Sequence, residues 1–273
     1  MTINENIKPA TYSDYTLLKT VPSVLRARGF RLYTQDGRRL VDLWLNGGAA
    51  ILGHTPPYLL RELKNTASRG LYSPLPHFSE SRYLKSLSKF FPGRSFRLYA
   101  APPPELTELF TSGTAKLWRP FIDPVSPFAV ENEPLLIPVL PGIQSWRGGL
   151  PLGLCTAAAE SENQLTQLPA GDILPPLLLA VAARGVYDIL ASPKRANPVL
   201  PRIVKAFKAS LWQRQGIYLN LKEKTENNAW AALFAQFLDA GFLLPPNQNQ
   251  PLILPGELSD GEEAKLAAVL SVS

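Results

Sequence analysis

Residues 26–57 constrain the fold more than any other part of the chain. Two short runs of apolar and aromatic residues, 30–33 and 39–44, flank Asp36-Gly37. This pair is typical of a β-hairpin turn, because Gly adopts positive φ at little cost. Asn46-Gly47-Gly48 follows and predicts an abrupt change in chain direction. Taken alone, the pattern is equally compatible with a plain surface hairpin.

The order and spacing of residues across this stretch resemble the opening of class III aminotransferases, which are pyridoxal-phosphate enzymes of fold type I. That family opens with A-x-G-x-x-L-Y-D-x-D-G-R-x-Y-x-D, followed by a Gly-rich turn and L-G-H-x-H-P. The residues that carry the resemblance are Arg28, Gly29, Leu32, Tyr33, Asp36, Gly37, Arg38, Asp42, Gly47, Leu52, Gly53, His54 and Pro56. The likeness continues through residues 69–74 and is closest to the glutamate-1-semialdehyde aminomutase branch.

The resemblance implies an α/β protein with the three-layer fold of type I aminotransferases. We expect a reduced large-domain sheet and a small C-terminal α+β domain. Residues 1–55 would form an N-terminal arm and hairpin segment, residues 56–191 the reduced cofactor-type domain, and residues 192–273 the small domain.

Apolar periodicity predicts the remaining elements. Helices are predicted at residues 58–70, 79–91, 177–190, 192–214, 229–240 and from 259 to 270; strands are predicted at 96–100, 135–140, 216–221 and 252–254. The helix at 192–214 has a basic amphipathic pattern, which is compatible with a calmodulin- or membrane-binding helix but favours a solvated helix of the small domain.

Composition excludes several function classes. The net charge is +6, but Lys and Arg are scattered without a compact basic run, so nucleic-acid binding is not predicted. No apolar run has the length of a membrane span, and the polar start lacks the apolar core of a secretory signal. The single cysteine, Cys155, excludes an internal disulfide and favours a reducing cytoplasm. Two histidines are too few for an ordinary His-rich metal site.

Ser112-Gly113-Thr114 is the predicted cofactor-binding segment. It resembles the family's S-G-T-E-A, whose amides and hydroxyls bind the cofactor phosphate, although Ala115 stands where that pattern has Glu. Gly permits close approach of the backbone, and consecutive N–H groups at a helix start would favour an anion.

Gln144 falls at the position of the Schiff-base lysine. Residues 142–157 resemble the family's K-x-L-G-G-G-x-P-x-G-A, with Gly148, Gly149, Pro151 and Gly153 setting the register. The amide nitrogen of Gln is not nucleophilic and cannot form an imine. The aromatic that stacks on the cofactor ring and the D-E-V segment are also not found in residues 116–134. The resemblance therefore implies no catalytic residue, and pyridoxal phosphate that is absent or bound weakly without a covalent bond.

Other residues could in principle replace these groups. Lys116 and Lys194 are the alternatives for the lysine, and Asp123 for the carboxylate, although Asp123-Pro124 is more simply a turn. His54 is implied to be a structural residue of its turn.

The predicted function is therefore that of a degenerate aminotransferase-like pseudoenzyme. The alternatives are an active enzyme with a displaced lysine, and a scaffold that pairs with a full-length aminotransferase. A homodimer is expected, because family active sites are built across a dimer interface and because apolar residues 135–152 would need cover.

Overall fold

The computed structural model describes residues 16–130, 133–147, 149–206 and 211–272. Residues 1–15 of the predicted arm, and Gly148 of the glycine register, lie outside the described residues. The strands are β1 (Val24–Arg28), β2 (Arg31–Thr34), β3 (Arg39–Asp42), β4 (Ser95–Tyr99), β5 (Ala115–Trp118), β6 (Leu135–Pro138), β7 (Ser145–Arg147), β8 (Leu150–Leu152), β9 (Cys155–Ala159), β10 (Trp212–Gln215), β11 (Tyr218–Leu221), β12 (Phe242–Leu243) and β13 (Leu252–Ile253). The α-helices are α1 (Pro57–Ala67), α2 (Ser79–Leu87), α3 (Pro104–Thr111), α4 (Glu162–Leu165), α5 (Pro176–Leu190), α6 (Pro201–Ala206), α7 (Asn227–Asp239) and α8 (Asp260–Val272).

The predicted hairpin forms one sheet with a strand from the far end of the chain. β1, β2 and β3 are antiparallel neighbours, and the two-residue strand β12 lies parallel to β3 with Phe242 opposite Val41. At the β2–β3 turn, Thr34 N donates to Arg38 O at 3.0 Å and Gly37 adopts a φ of 81°. The Asp36-Gly37 turn is therefore confirmed, and the C-terminal region closes one edge of the N-terminal sheet.

The central sheet has the strand order β4-β9-β6-β5 and is covered by helices on both faces. β5 and β6 are parallel, whereas β9 is antiparallel to both of its neighbours. Leu98, Leu136 and Ala158 pack with residues of α2 and α5. The alternate residues of the same strands pack instead with Leu106 of α3 and Leu165 of α4. This alternation follows the two-residue period of a strand and confirms the predicted α/β layering.

A third sheet, β10-β11-β13, is antiparallel and packs against α7. The indole of Trp212 contacts Trp230 and Phe237, with centroids 6.3 Å away in each case. A separate hairpin, β7-β8, precedes β9 along the chain. The domain boundaries remain a prediction, and β12 shows that residues of the predicted small domain also complete the N-terminal sheet.

One predicted element is wrong: residues 192–214 do not form one helix. The described parts are a 3-10 helix at Pro193–Ala196, α6, and the strand β10, with residues 207–210 outside the description. Pro193, Pro198 and Pro201 explain the break, because proline lacks an N–H and disfavours helical backbone in the residue before it. The helix predicted at 177–190 is confirmed as α5, and most of its residues are buried.

Among the described residues, no single helix has both the length and the apolar composition needed to cross a membrane. Within the described ranges, one pair bent by 76°, Pro176–Leu190 with Pro193–Ala206, reaches that length and composition together.

Candidate cofactor site

Asp42 organises the Gly-rich turn that follows the N-terminal hairpin. Its buried carboxylate accepts hydrogen bonds from the backbone N–H groups of Trp44 and Leu45, at 2.8 Å each. The second carboxylate oxygen lies 2.8 Å from His54 Nε2. His54 N also donates to Gly29 O at 2.8 Å. These contacts fix the start of a 3-10 turn at Leu45–Gly48 and give His54 the structural position that the resemblance implies.

The turn is joined to the segment that carries Gln144. Asn46 has left-handed backbone angles (φ 49°, ψ 52°), which Asn adopts more readily than most residues. Asn46 Nδ2 donates to the backbone oxygen of Gln144 at 2.6 Å, and Trp146 Nε1 donates to Asn46 O at 2.7 Å. Two segments separated by about a hundred residues are therefore hydrogen-bonded to each other.

Trp146 fills the space beside Gly47. The indole is 2% exposed, and a Cβ atom on Gly47 would lie 2.4 Å from its Cε2 atom. Arg119 Nη1 donates to Gly47 O at 2.6 Å. The guanidinium lies 5.6 Å from the centroid of Trp146 and 5.8 Å from that of Tyr218. Burial lowers the pKa of Arg119. We call this group of Asn46, Gly47, Arg119, Gln144 and Trp146 the packed junction.

Gln144 contributes its backbone to the packed junction but no reactive group. Its side-chain Oε1 is buried and has no hydrogen-bond partner among the described residues. A primary amide carries no basic or nucleophilic nitrogen near neutral pH, so this position cannot form an imine.

Lysines in the described part of the chain do not supply the missing amine. Every one of them is exposed. Lys116 lies on β5 and pairs with Glu133, and Lys194 lies on the short 3-10 helix after α5. Neither therefore occupies a buried position from which an imine would be shielded from water.

Carboxylates that could face a pyridinium nitrogen are engaged elsewhere. Among the described residues, the buried ones are Asp42, Asp188 and Glu263. Asp188 accepts from Arg184, and Glu263 accepts from the backbone N–H groups of α6. Asp123 is exposed, and its Oδ1 accepts from Val125 N at 2.8 Å, as expected for the simple turn. The same part of the chain shows no cluster of three metal-ligating side chains.

Ser112-Gly113-Thr114 lies at the end of a helix, so the predicted helix start is wrong. α3 ends at Thr111 and β5 begins at Ala115. Ser112 N and Gly113 N already donate to Glu108 O and Phe110 O, at 2.9 and 3.1 Å. The negative end of the helix dipole also faces this segment, which disfavours an anion. The two hydroxyls lie 3.1 Å apart and are exposed, so only these groups and Thr114 N could contact a phosphate.

The residues present do not fit covalently bound pyridoxal phosphate. The sequence resemblance aligns Gln144 with the lysine position, Trp146 occupies the space beside Gly47, and the serine–threonine segment lacks a helix N-terminus. Arg119 and Trp146 are not predicted from sequence as site residues, because their contacts join distant segments. The only sequence signal for them is Gly47, because its lack of a side chain leaves room for the indole.

Sequence comparisons link part of the chain to glutamate-1-semialdehyde aminomutases. No protein-family model matches the chain. An uncharacterized protein of Treponema pallidum (strain Nichols) is 29% identical over 290 residues, covering 88% of this chain and 91% of that protein. An uncharacterized protein of Borreliella burgdorferi is 27% identical over 256 residues, covering 91% and 90%. Glutamate-1-semialdehyde 2,1-aminomutase of Thermus thermophilus is 32% identical over only 73 residues, which is 27% of this chain and 17% of the aminomutase.

Structural comparisons extend the likeness to nearly the whole chain. Plasmodium falciparum ornithine delta-aminotransferase has a TM-score of 0.64 at 10% identity, covering 98% of this chain and 94% of that one. A glutamate-1-semialdehyde-aminomutase from Pseudomonas aeruginosa PAO1 has a TM-score of 0.64 at 12% identity, covering 91% and 86%. The chain therefore has the fold of class III pyridoxal-phosphate aminotransferases.

Proposed function

We propose that the chain is an aminotransferase-like pseudoenzyme, most similar to glutamate-1-semialdehyde aminomutase, that forms no covalent bond to pyridoxal phosphate and catalyses no transamination. The observation that carries this proposal is the exposure of every lysine in the described part of the chain. In a pyridoxal-phosphate enzyme, the amine that forms the imine must lie in a site where protein groups orient it and exclude water.

The packed junction supports the same conclusion independently. Trp146 and Arg119 occupy the space against Gly47, and both donate hydrogen bonds to backbone oxygens of the turn. A cofactor ring placed there would have to displace a buried indole and leave the Arg119 guanidinium without its carbonyl partner. Both losses would oppose binding.

Borohydride trapping tests the proposal. The protein is incubated with pyridoxal phosphate, dialysed, reduced with borohydride and analysed by intact mass and peptide mapping. We expect no stoichiometric phosphopyridoxyl adduct after dialysis, because exposed lysines form imines that hydrolyse. A one-to-one adduct on a single lysine would contradict the proposal and restore the enzyme interpretation.

The alternative of an active enzyme with a displaced lysine makes a specific claim in this experiment. The adduct would map to Lys116 or Lys194 and would disappear when that lysine is replaced by Arg. The surface position of both side chains and the pairing of Lys116 with Glu133 favour the pseudoenzyme instead.

A homodimer remains part of the proposal, on a different basis from the sequence argument. Residues 135–152 contribute buried side chains to the chain's own core. The prediction that a partner must cover them is therefore wrong. Exposed large apolar side chains instead occur between α1 and α2: Tyr72, Leu75 and Phe78 are 60%, 53% and 64% exposed. Burial of such side chains favours association.

Light scattering at micromolar concentration tests the proposed homodimer. A dimer mass that shifts to a monomer in Leu75→Glu/Phe78→Glu supports self-association through this surface. A monomer in the unchanged protein contradicts the homodimer. It would leave the scaffold alternative, in which a full-length aminotransferase provides the cover, to be tested by mixing the two proteins.

A cytoplasmic location is proposed only from the single cysteine, Cys155, whose buried thiol has its pKa raised to about 12.

A further inference from the structure

A cavity of about 510 Å³ lies away from the packed junction, between the N-terminal hairpin, the end of α5 and the loop before α8. Its lining includes the apolar residues Phe30, Leu52 and Pro56. It also includes four charged residues, Arg184, Asp188, Arg195 and Glu257. The residues that line this cavity play no part in the proposed function.

Arg195 is a buried cation with an unused donor. The residue is 8% exposed; its Nε donates to Ile51 O at 3.0 Å and its Nη2 donates to Leu254 O. Nη1 is buried and has no hydrogen-bond partner among the described residues. The guanidinium lies 5.3 Å from the centroid of Phe30. Burial lowers the pKa of Arg195 to about 10, as expected for a cation without a carboxylate partner.

Asp188 is a buried anion with an unused acceptor. It is 7% exposed, and its Oδ1 accepts hydrogen bonds from Arg184, at 2.8 Å from Arg184 Nε. Its Oδ2 is buried and has no hydrogen-bond partner among the described residues. A buried polar group without a partner is costly, so two such groups of opposite charge lining one cavity indicate a ligand that satisfies both.

We propose that this cavity binds a small zwitterion with an apolar side chain. The carboxylate of the ligand accepts from Arg195 Nη1, and its ammonium group donates to Asp188 Oδ2. The apolar part lies along Phe30, Leu52 and Pro56. A plain anion would leave Asp188 Oδ2 without a partner, and a plain cation would leave Arg195 Nη1 without one.

Three related small molecules test the charge requirement. L-Leucine carries both groups, 4-methylpentanoate is the same skeleton without the ammonium, and 3-methylbutylamine lacks the carboxylate. Isothermal titration should give a dissociation constant of about 1 mM or lower for leucine, and at least tenfold weaker binding of the other two. No binding of leucine at that concentration overturns the proposal, as does equal binding of all three.

Two variants place the ligand in the cavity. Asp188→Asn should weaken leucine at least tenfold and leave 4-methylpentanoate unchanged. Ala191→Trp adds bulk to an exposed residue that lines the cavity, at the end of α5, and should abolish binding. The matched control is Ala235→Trp, on an exposed position of α7, which should bind leucine normally. Circular dichroism establishes that each variant is folded. Unchanged leucine binding in folded Ala191→Trp overturns the assignment to this cavity.

Discussion

The turn at residues 42–54 and the segment at residues 112–153 both carry family-like glycines, but they keep different parts of the family pattern. In the first region, Asp42 and the glycines close a local network of backbone hydrogen bonds. In the second, Gly149 and Gly153 adopt φ values of 83° and 85°, whereas the sequence resemblance aligns Gln144 with a lysine. Residues that determine backbone conformation stabilise the fold directly. Groups that serve a reaction do not, so they can be replaced while the fold is retained.

The largest effect is expected where the two regions meet. Gly47→Ala combines a φ of 63° with a Cβ position 2.4 Å from the Trp146 ring, so it should lower the free energy of unfolding by at least about 3 kcal/mol. Gly37→Ala is the matched control: its φ is 81°, but no atom lies within 4 Å, and it should cost about 1 kcal/mol. Urea denaturation measures both. Equal costs would show that the indole does not fill the space beside Gly47.

A comparison of two aspartate turns sharpens the same contrast. Asp42→Ala removes the acceptor for two buried N–H groups and for His54, and should cost about 3 kcal/mol. Asp123→Ala removes one exposed contact to Val125 N and should cost about 0.5 kcal/mol. Thermal unfolding of both variants is the measurement. A small loss for Asp42→Ala would mean that the turn is held mainly by the packed junction.

The N-terminal sheet is also joined to α8 by a pH-dependent ion pair. Arg31 donates to Glu262 at 2.9 and 2.7 Å, which lowers the pKa of Glu262 from 4.5 to about 2. The stabilisation is therefore fully present above pH 4.5 and is lost as the pH falls toward 2. After allowance for solvent screening, Glu262→Gln should cost about 1–2 kcal/mol at pH 7.

Denaturation of Glu262→Gln at a series of pH values tests this ion pair. The difference from the unchanged protein should shrink as the pH is lowered from 5 to about 3. Glu257→Gln is the control, because Glu257 is 71% exposed in its contact with Arg31 and should change stability by at most about 0.5 kcal/mol. A difference for Glu262→Gln that stays constant with pH would contradict the assignment.

The smallest effect is expected at Ser112-Gly113-Thr114. Two of its three N–H groups are used within the chain, so phosphate at about 10 mM should raise the melting temperature by no more than about 1 °C. Ser112→Ala/Thr114→Val should remove that small shift and leave the melting temperature without phosphate unchanged. A shift of several degrees that disappears in the variant would instead show a competent phosphate site.

Local sequence determined the features that depend on one or a few neighbouring residues. Asp36-Gly37 specifies its turn because Gly tolerates positive φ, and the apolar pattern of residues 177–190 specifies the buried helix α5. At residues 192–214 the apolar pattern is helical, but three prolines divide the segment into a 3-10 helix, α6 and the strand β10.

Tertiary structure alone decided which distant groups meet. Asn46 bonds to Gln144 and Trp146, Arg119 reaches Gly47, and β12 pairs with β3, and none of these contacts follows from spacing along the chain. Whether a residue such as Arg195 retains an unused donor also depends on every element packed around it. The sequence by itself determined local backbone conformation and the absence of lysine at position 144. Packing between distant segments decided what occupies the space around that position, because burial and hydrogen-bond satisfaction are properties of the whole fold.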